Sequence, residues 1–266
     1  MSTHYARPEV WAAGCDPVYE VLSEAALAPH ASSLTGRRVL DLGAGTGATS
    51  RVVAALGGVP VAVDASWPML HHDRRSRPPA IAGDACLVPV GDDAVAATVA
   101  AFVLSHVVDP VTLLSEAGRV TAPGGMVVVV SFAAAGARSA AHKIVDDLLR
   151  HRGWVPPEWF QRVKEELEPA VTDPQSLLSM ALAAGLRSPD VTTLVVDTGI
   201  STPDDLVAWR LGSAGSASFV AAMPEADRRR LQAEAVEALG PVPEPLVLEL
   251  RVLSSLAGAV RPSAST

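Results

Sequence analysis

Two cysteines, Cys15 and Cys86, are all that the 266 residues contain. That excludes a disulfide framework and a cysteine-ligated metal cluster, and makes a reducing cytoplasm the expected setting. No apolar run approaches the ~18 residues of a membrane-spanning helix. The opening MSTHYARPEVW has no charged-then-apolar leader pattern. Positive charge is also in short supply. The net charge is −8, which disfavours a nucleic-acid partner or an anionic-membrane footprint. The basic runs HHDRRSR (71–77) and RRR (228–230) are short, lie among acids and read as solvated faces. No histidine–carboxylate set suggests a metal, and no G-x-S-x-G nucleophile motif occurs.

What the chain does have is apolar surface to bury. Residues of that kind make up 49 % of it, ample for one large α/β domain. From 38 to 132 the pattern alternates. RRVLDLG, VPVAVDAS, AIAGDA, AVAATVAAFVLSHV and MVVVVSF read as strands, the first buried on both faces. GATSRVVAALGG and DPVTLLSEAGRVTAPGG read as helices, stopped by Gly-Gly and Pro-Gly-Gly. Such alternation predicts right-handed crossovers and an α/β, doubly wound parallel sheet. Later, 137–152 and 158–168 read as helices, and TDPQSLLSMALAAGL as a helix capped at Thr172 or Asp173. DVTTLVVDTG and EPLVLELRVLSSL read as strands on either side of helices at about 203–211 and 224–239. The expected organisation is an N-terminal helical segment (1–35), a ligand-binding core (36–132), and a helical cap with a return helix (133–187). The remaining core strands (188–258) carry a helical insertion (201–240), and the tail (259–266) is expected to be flexible.

The informative stretch is VLDLGAGTG (39–47), a strand running into a turn with three glycines, then a helix. Glycine allows the tight turn and removes the Cβ atoms that would collide with a ligand lying on the backbone. In an open parallel sheet that seat lies beyond the carboxyl ends of the strands. The spacing of Gly43, Gly45 and Gly47 is G-x-G-x-G, not the G-x-G-x-x-G of dinucleotide sites. Asp41 stands two residues before the first glycine. A carboxylate there repels a pyrophosphate and attracts an ammonium group, so a nucleoside with a cationic amino-acid arm fits better. Asp64, 17 residues after Gly47, can accept from two ribose hydroxyls with charge-assisted bonds. Asp84 can accept from an adenine amino group while the Ala85 amide meets a ring nitrogen.

VLDLGAGTG, VAVDAS, GDACLVPV and LLSEAGRVTAPGGMVVVV together resemble the class I S-adenosylmethionine-dependent methyltransferases, most nearly the quinone-biosynthesis type and its small-molecule relatives. The resemblance covers roughly 36–132. It implies a Rossmann-like sheet of seven strands, mostly parallel with the last antiparallel, and helical cap insertions. It implies S-adenosyl-L-methionine as cofactor, with Asp41, Gly43, Ala44, Gly45 and Gly47 facing the methionine arm. Asp64 and Ala65 would then face the ribose, Asp84 and Ala85 the adenine, and Trp67 and Met69 would flank the adenine. Phe102 and Ser105 would line the methionine end. The chain departs from the family at 94–98, where AVAAT stands in place of an acid and an aromatic.

Methyl transfer from a sulfonium is an in-line displacement with a good leaving group. Alignment of the reacting atoms alone can supply on the order of 7–11 kcal/mol. A base matters only where the acceptor must shed a proton, and there it adds about 10²–10⁴-fold. His106, in LSHVVDP at the reactive edge, is the candidate general base. Tyr5 and Tyr19 in the N-terminal helices, and His142, Trp154, Trp159, Phe160 and Trp209 in the cap, are candidate substrate contacts. Their apolar character points to a mostly apolar small-molecule acceptor, methylated at oxygen or an activated carbon. An N-methyltransferase, a cofactor-binding protein that transfers nothing (a cyclase or regulatory module) and a nicotinamide-dependent oxidoreductase are the alternatives. The oligomeric state is left open, a homodimer included.

Overall fold

The computed structural model describes residues 7–133, 140–241 and 246–258. Tyr5, the first residues of the expected cap and the expected tail lie outside the described residues.

The strands are β1 (Arg38–Leu42), β2 (Val59–Asp64), β3 (Ala80–Ala82), β4 (Val95–Ala101), β5 (Thr121–Phe132), β6 (Arg187–Asp197) and β7 (Val247–Leu256). They form one sheet in the order β3-β2-β1-β4-β5-β7-β6. β1 pairs parallel with β2 and β4, β2 with β3, and β4 with β5. β7 runs antiparallel to both β5 and β6. The direction of the chain's crossovers reverses at β1, and such a switch point opens a crevice at the carboxyl ends of the strands.

The helices are α1 (Pro8–Gly14), α2 (Asp16–Leu27), α3 (Ala31–Leu34), α4 (Ala48–Ala55), α5 (Trp67–His71), α6 (Pro110–Val120), α7 (Ala140–His151), α8 (Glu158–Arg162), α9 (Pro174–Ala183), α10 (Pro203–Gly212), α11 (Ala217–Ala222) and α12 (Glu225–Leu239). Side chains alternate across β1, as a strand requires. Val39 packs with Leu22, Leu27 and Leu34 of the N-terminal helices and with Val53 of α4. Leu40 and Leu42 pack on the other face with Leu113 and Leu114 of α6 and Leu177 of α9. Both faces of the sheet are thus covered, which explains why β1 reads as a nearly continuous apolar run. Local chemistry fixes the helix starts. The Asp109 carboxylate accepts the Thr112 amide at 3.1 Å ahead of α6, and Asp173 accepts the Ser176 amide at 2.8 Å ahead of α9.

A third apolar cluster joins α7, α10, α11 and α12, with Val145, Leu149, Val207, Leu211, Val220 and Leu231 at its centre. Asp146 and Arg210 form a buried ion pair across it. α1 docks on α10 with the two backbones in contact. A Cβ added to Gly14 would stand 2.3 Å from the Ala208 carbonyl oxygen.

Three details differ from the sequence expectation. β5 begins at Thr121, ahead of the Pro-Gly-Gly that reads as a stop. Thr121 is held there by its hydroxyl, 2.6 Å from Thr98 Oγ1 and 2.7 Å from the Ala117 carbonyl. Residues 158–168 are not one helix: α8 passes into a wider π turn over Val163–Leu167 and then a tight 3-10 turn over Glu168–Val171. Pro169 cannot donate to an α-helical ladder. α11 adds a third helix to the expected insertion at 201–240, between the two helices read there from the sequence.

Candidate functional site

Beyond β1 the chain turns through Gly43–Gly47 into α4. Gly43 and Gly47 take φ of +74° and +97°, a left-handed region that glycine enters without cost. At Gly43 there is also no room: a Cβ would stand 2.5 Å from Val103 Cγ2. The Gly43 and Ala44 amides both donate to the Val63 carbonyl, at 2.8 and 3.1 Å, so the turn is tied to β2.

Asp64, at the tip of β2, closes the arrangement. Its Oδ2 accepts the Gly45 amide at 2.8 Å and its Oδ1 the Ser66 amide at 2.6 Å. Burial pushes this carboxyl above the usual range, while the two amides and the nearby Arg77 guanidinium pull it back. Asp41 is sunk deeper, 1 % exposed. Burial pushes its carboxyl up to about 6, against the Ser50 hydroxyl that donates to its Oδ2 at 2.6 Å.

A cavity of about 590 Å³ opens over these strand ends. Of the expected cofactor contacts, Gly43, Ala44, Gly45, Asp64, Ala65, Met69, Asp84, Ala85 and Phe102 line it. Asp84 is exposed on the wall, its Oδ1 accepting the Cys86 amide at 2.8 Å. Met69 is buried at 3 % exposure and touches the loop. His106, in a short 3-10 turn over Leu104–His106, lines the cavity from an exposed position.

Phe102 takes φ of +59°, uncommon for a bulky residue. Its ring meets Tyr19 edge-on with centroids 4.9 Å apart and lies 4.8 Å from the Phe132 ring. Trp11 continues the cluster, 5.2 Å from Tyr19. Four of eleven aromatic side chains therefore gather at one place, and Trp11, Tyr19 and Phe102 line the cavity.

Other expected contacts do not reach the wall. Asp41 and Gly47 lie behind the loop, Gly47 towards Arg51 and Arg77. Ser105 is off the wall as well. Trp67 turns outwards, 53 % exposed and beside His71, because its neighbours Met69 and Leu70 take the buried side of α5. The cap aromatics hold helices together. Trp154 is buried, donates its Nε1 to the Gly215 carbonyl at 3.0 Å, and lies beneath the Arg210 guanidinium. Phe160 packs on Gly215 and lies 5.7 Å from Trp159, and His142 meets Trp209 edge-on at 5.1 Å. None of these five residues lines the cavity.

Sequence reasoning missed Thr46, Ser66, Cys86 and the Val107–Asp109 turn, all on the wall. Each follows closely on a residue that it did find, so extending every strand-end motif by three residues would have found them. Trp11, noted only as part of the N-terminal helices, also lines the cavity.

Comparison with known proteins bears on the family and the fold. A methyltransferase domain family matches residues 40–129. A demethylmenaquinone methyltransferase of Mycobacterium sp. strain KMS is 45 % identical over 97 residues, 36 % of this chain and 42 % of that protein. The chain thus spans less than half the length of that relative. A protein of the same name from Streptomyces avermitilis is 32 % identical over 184 residues, 65 % of this chain and 71 % of that one. The solved structure of Haemonchus contortus phosphoethanolamine N-methyltransferase 2 in complex with S-adenosyl-L-methionine superposes with a TM-score of 0.54. It shares 18 % identity and covers 90 % of this chain and 52 % of that one, a likeness of fold.

Proposed function

Because the chain belongs to the class I S-adenosylmethionine-dependent methyltransferases, we propose that its 590 Å³ cavity holds S-adenosyl-L-methionine and that the protein methylates a mostly apolar small molecule, at oxygen or an activated carbon. The observation that carries this reading is the Asp64 carboxylate laid against the bare Gly43–Ala44–Gly45 backbone. The donor set fits the group. Two acidic side chains lie at the loop, Asp41 buried and Asp64 half-buried, each held above its usual pKa by desolvation. A cationic ligand relieves that cost and a pyrophosphate raises it.

Asp64 offers a charged acceptor to the ribose hydroxyls, Asp84 and the Ala85 amide face the adenine, and the glycine loop takes the amino-acid arm, with Asp41 charging it from beneath. When bound, the cofactor supplies a methyl group on a cationic sulfur that leaves as a neutral thioether. Phe102 and Tyr19 wall the end where the acceptor enters and exclude water. They are edge-on aromatic faces suited to an apolar acceptor. His106 takes the proton of an acceptor hydroxyl or enolisable carbon.

The test is turnover. The protein, S-adenosylmethionine and a panel of hydroxylated aromatic and enolisable apolar acceptors are incubated, and S-adenosylhomocysteine is quantified by mass spectrometry. Acceptor-dependent product is expected, and His106→Ala should slow it about 10²-fold or more without moving cofactor affinity. Turnover of the variant equal to wild type removes His106 from the chemistry.

A further inference from the structure

Arg77 ends the basic run 71–77 and its charge does not face solvent alone. Nη1 donates to the Gly45 carbonyl at 3.1 Å and to the Met69 carbonyl at 2.9 Å. Nε and Nη2 are buried and have no hydrogen-bond partner among the described residues. Arg51 makes the matching contact one residue on, with Nη1 donating to the Thr46 carbonyl at 3.2 Å. Arg51 is itself anchored on α2, through Asp16 at 2.7 Å and Glu20 at 2.5 Å.

Two successive carbonyls of the glycine loop thus face guanidinium groups. Gly45 and Thr46 line the large cavity, whereas Thr46, Arg51 and Arg77 line a second one of about 320 Å³. The loop is the wall between them. In a trans peptide the N–H points opposite to the C=O. The Gly45 carbonyl drawn towards Arg77 therefore turns the Thr46 N–H towards the large cavity, whereas the next one, the Gly47 N–H, donates within the turn to the Ala44 carbonyl at 2.8 Å. Nη1 also joins that loop to α5, the helix that carries Met69 onto the wall.

Arg77 faces charge as well. Asp41 and Asp64 both act on it electrostatically, and so do Arg51 and Asp16. Asp41 in turn faces Ser50 of α4, Asp64 and Arg77, while Asp64 faces the Gly45 and Ser66 amides and Arg77.

We propose that Arg77 is a positioning residue of the cofactor site: its guanidinium sets the peptide orientation of the Gly45 turn, couples that turn to Met69, and supplies the positive charge that faces Asp41 and Asp64. This rests on the reading that the large cavity takes the adenosyl cofactor. Lysine keeps the charge but not the rigid planar group that holds Nη1 between the two carbonyls and fills the buried space with Nε and Nη2. Methionine loses both.

The experiment is calorimetric titration of the full chain with S-adenosylhomocysteine between pH 6 and 8.5, for wild type, Arg77→Lys and Arg77→Met, with circular dichroism to confirm folding. Arg77→Met should bind at least about tenfold more weakly at pH 7. Its deficit should widen as the pH falls, because Asp41 and Asp64 take up protons more readily without the guanidinium and lose their pull on the ligand's ammonium group. Arg77→Lys should bind more weakly than wild type yet keep the wild-type pH profile, and it decides the matter if Arg77→Met does not fold. Either of two results overturns the proposal: Arg77→Lys with wild-type affinity, or Arg77→Met with a deficit that is constant across pH. Wild-type protein that ignores the ligand overturns the functional reading first, and the positioning role with it.

Discussion

The Gly45 amide donates to the Asp64 carboxylate at 2.8 Å, so the turn after β1 and the tip of β2 are one unit. Asp64 therefore shapes the loop as well as offering an acceptor to a ligand. Replacing it with alanine removes charge-assisted bonds and leaves two amides to find other partners. S-adenosylhomocysteine affinity of Asp64→Ala should fall by at least about tenfold in calorimetry, equivalent to ~1.4 kcal/mol. A dissociation constant within twofold of wild type removes Asp64 from the site.

Gly43 tests the close approach. Alanine at φ +74° enters a left-handed conformation that costs roughly 1–2 kcal/mol. The new Cβ also meets Val103 at 2.5 Å, so that side chain must shift. Gly43→Ala should lose at least ~2 kcal/mol of stability, or about 4–8 °C of melting temperature in a chain of this size. An unchanged melting temperature refutes the crowding at that turn.

Asp41 makes a pH prediction. Its usual value is 3.8, and burial raises it to about 6 in the fold. The folded chain holds this proton more tightly than the unfolded one, so the contribution to stability is full below pH 4 and is lost as pH rises to 6. Urea unfolding of wild type and Asp41→Asn should show the difference shifting in favour of Asn by ~2–3 kcal/mol between pH 4 and pH 7. Asp41→Asn should also bind cofactor more weakly at pH 7.5. A stability difference that ignores pH contradicts the buried, costly carboxylate.

Phe102 separates backbone strain from ring contacts. Phe102→Ala removes the ring and keeps a Cβ at φ +59°. Phe102→Gly removes both and relieves the strain. Thermal melts should find the glycine variant at least as stable as the alanine variant, the reverse of the order at an ordinary strand end. Alanine more stable by 1 kcal/mol or more would mean that the left-handed backbone is not there.

The sheet, and which residues come together on the cavity wall, were largely legible in the sequence. Strand alternation, the glycine spacing and Asp64 are local signals, and the residues that they point to lie together on one wall. What was not legible depends on facing directions and on distant partners. Trp154 and Phe160 look like pocket walls, yet cap helices need cores of their own, and large rings fill them. Trp67 lies two residues from Met69, but a single helical turn presents one to solvent and the other to the loop. Arg77 was hidden by its neighbours. Within a basic run the solvated reading holds for Arg74 and Arg75, which are exposed, and fails for the one residue that folds back under Gly45. Asp41 was expected on the wall and lies behind it, because Ser50, one helical turn into α4, draws its carboxylate away from the opening.

The most direct measurement is calorimetry of the purified protein against S-adenosylhomocysteine and, separately, NAD⁺. Saturable one-site binding of the first, weakened at least about tenfold in Asp64→Ala, with no heat from the second, is the result this account predicts. Uptake of the dinucleotide with no response to the adenosyl ligand would contradict it.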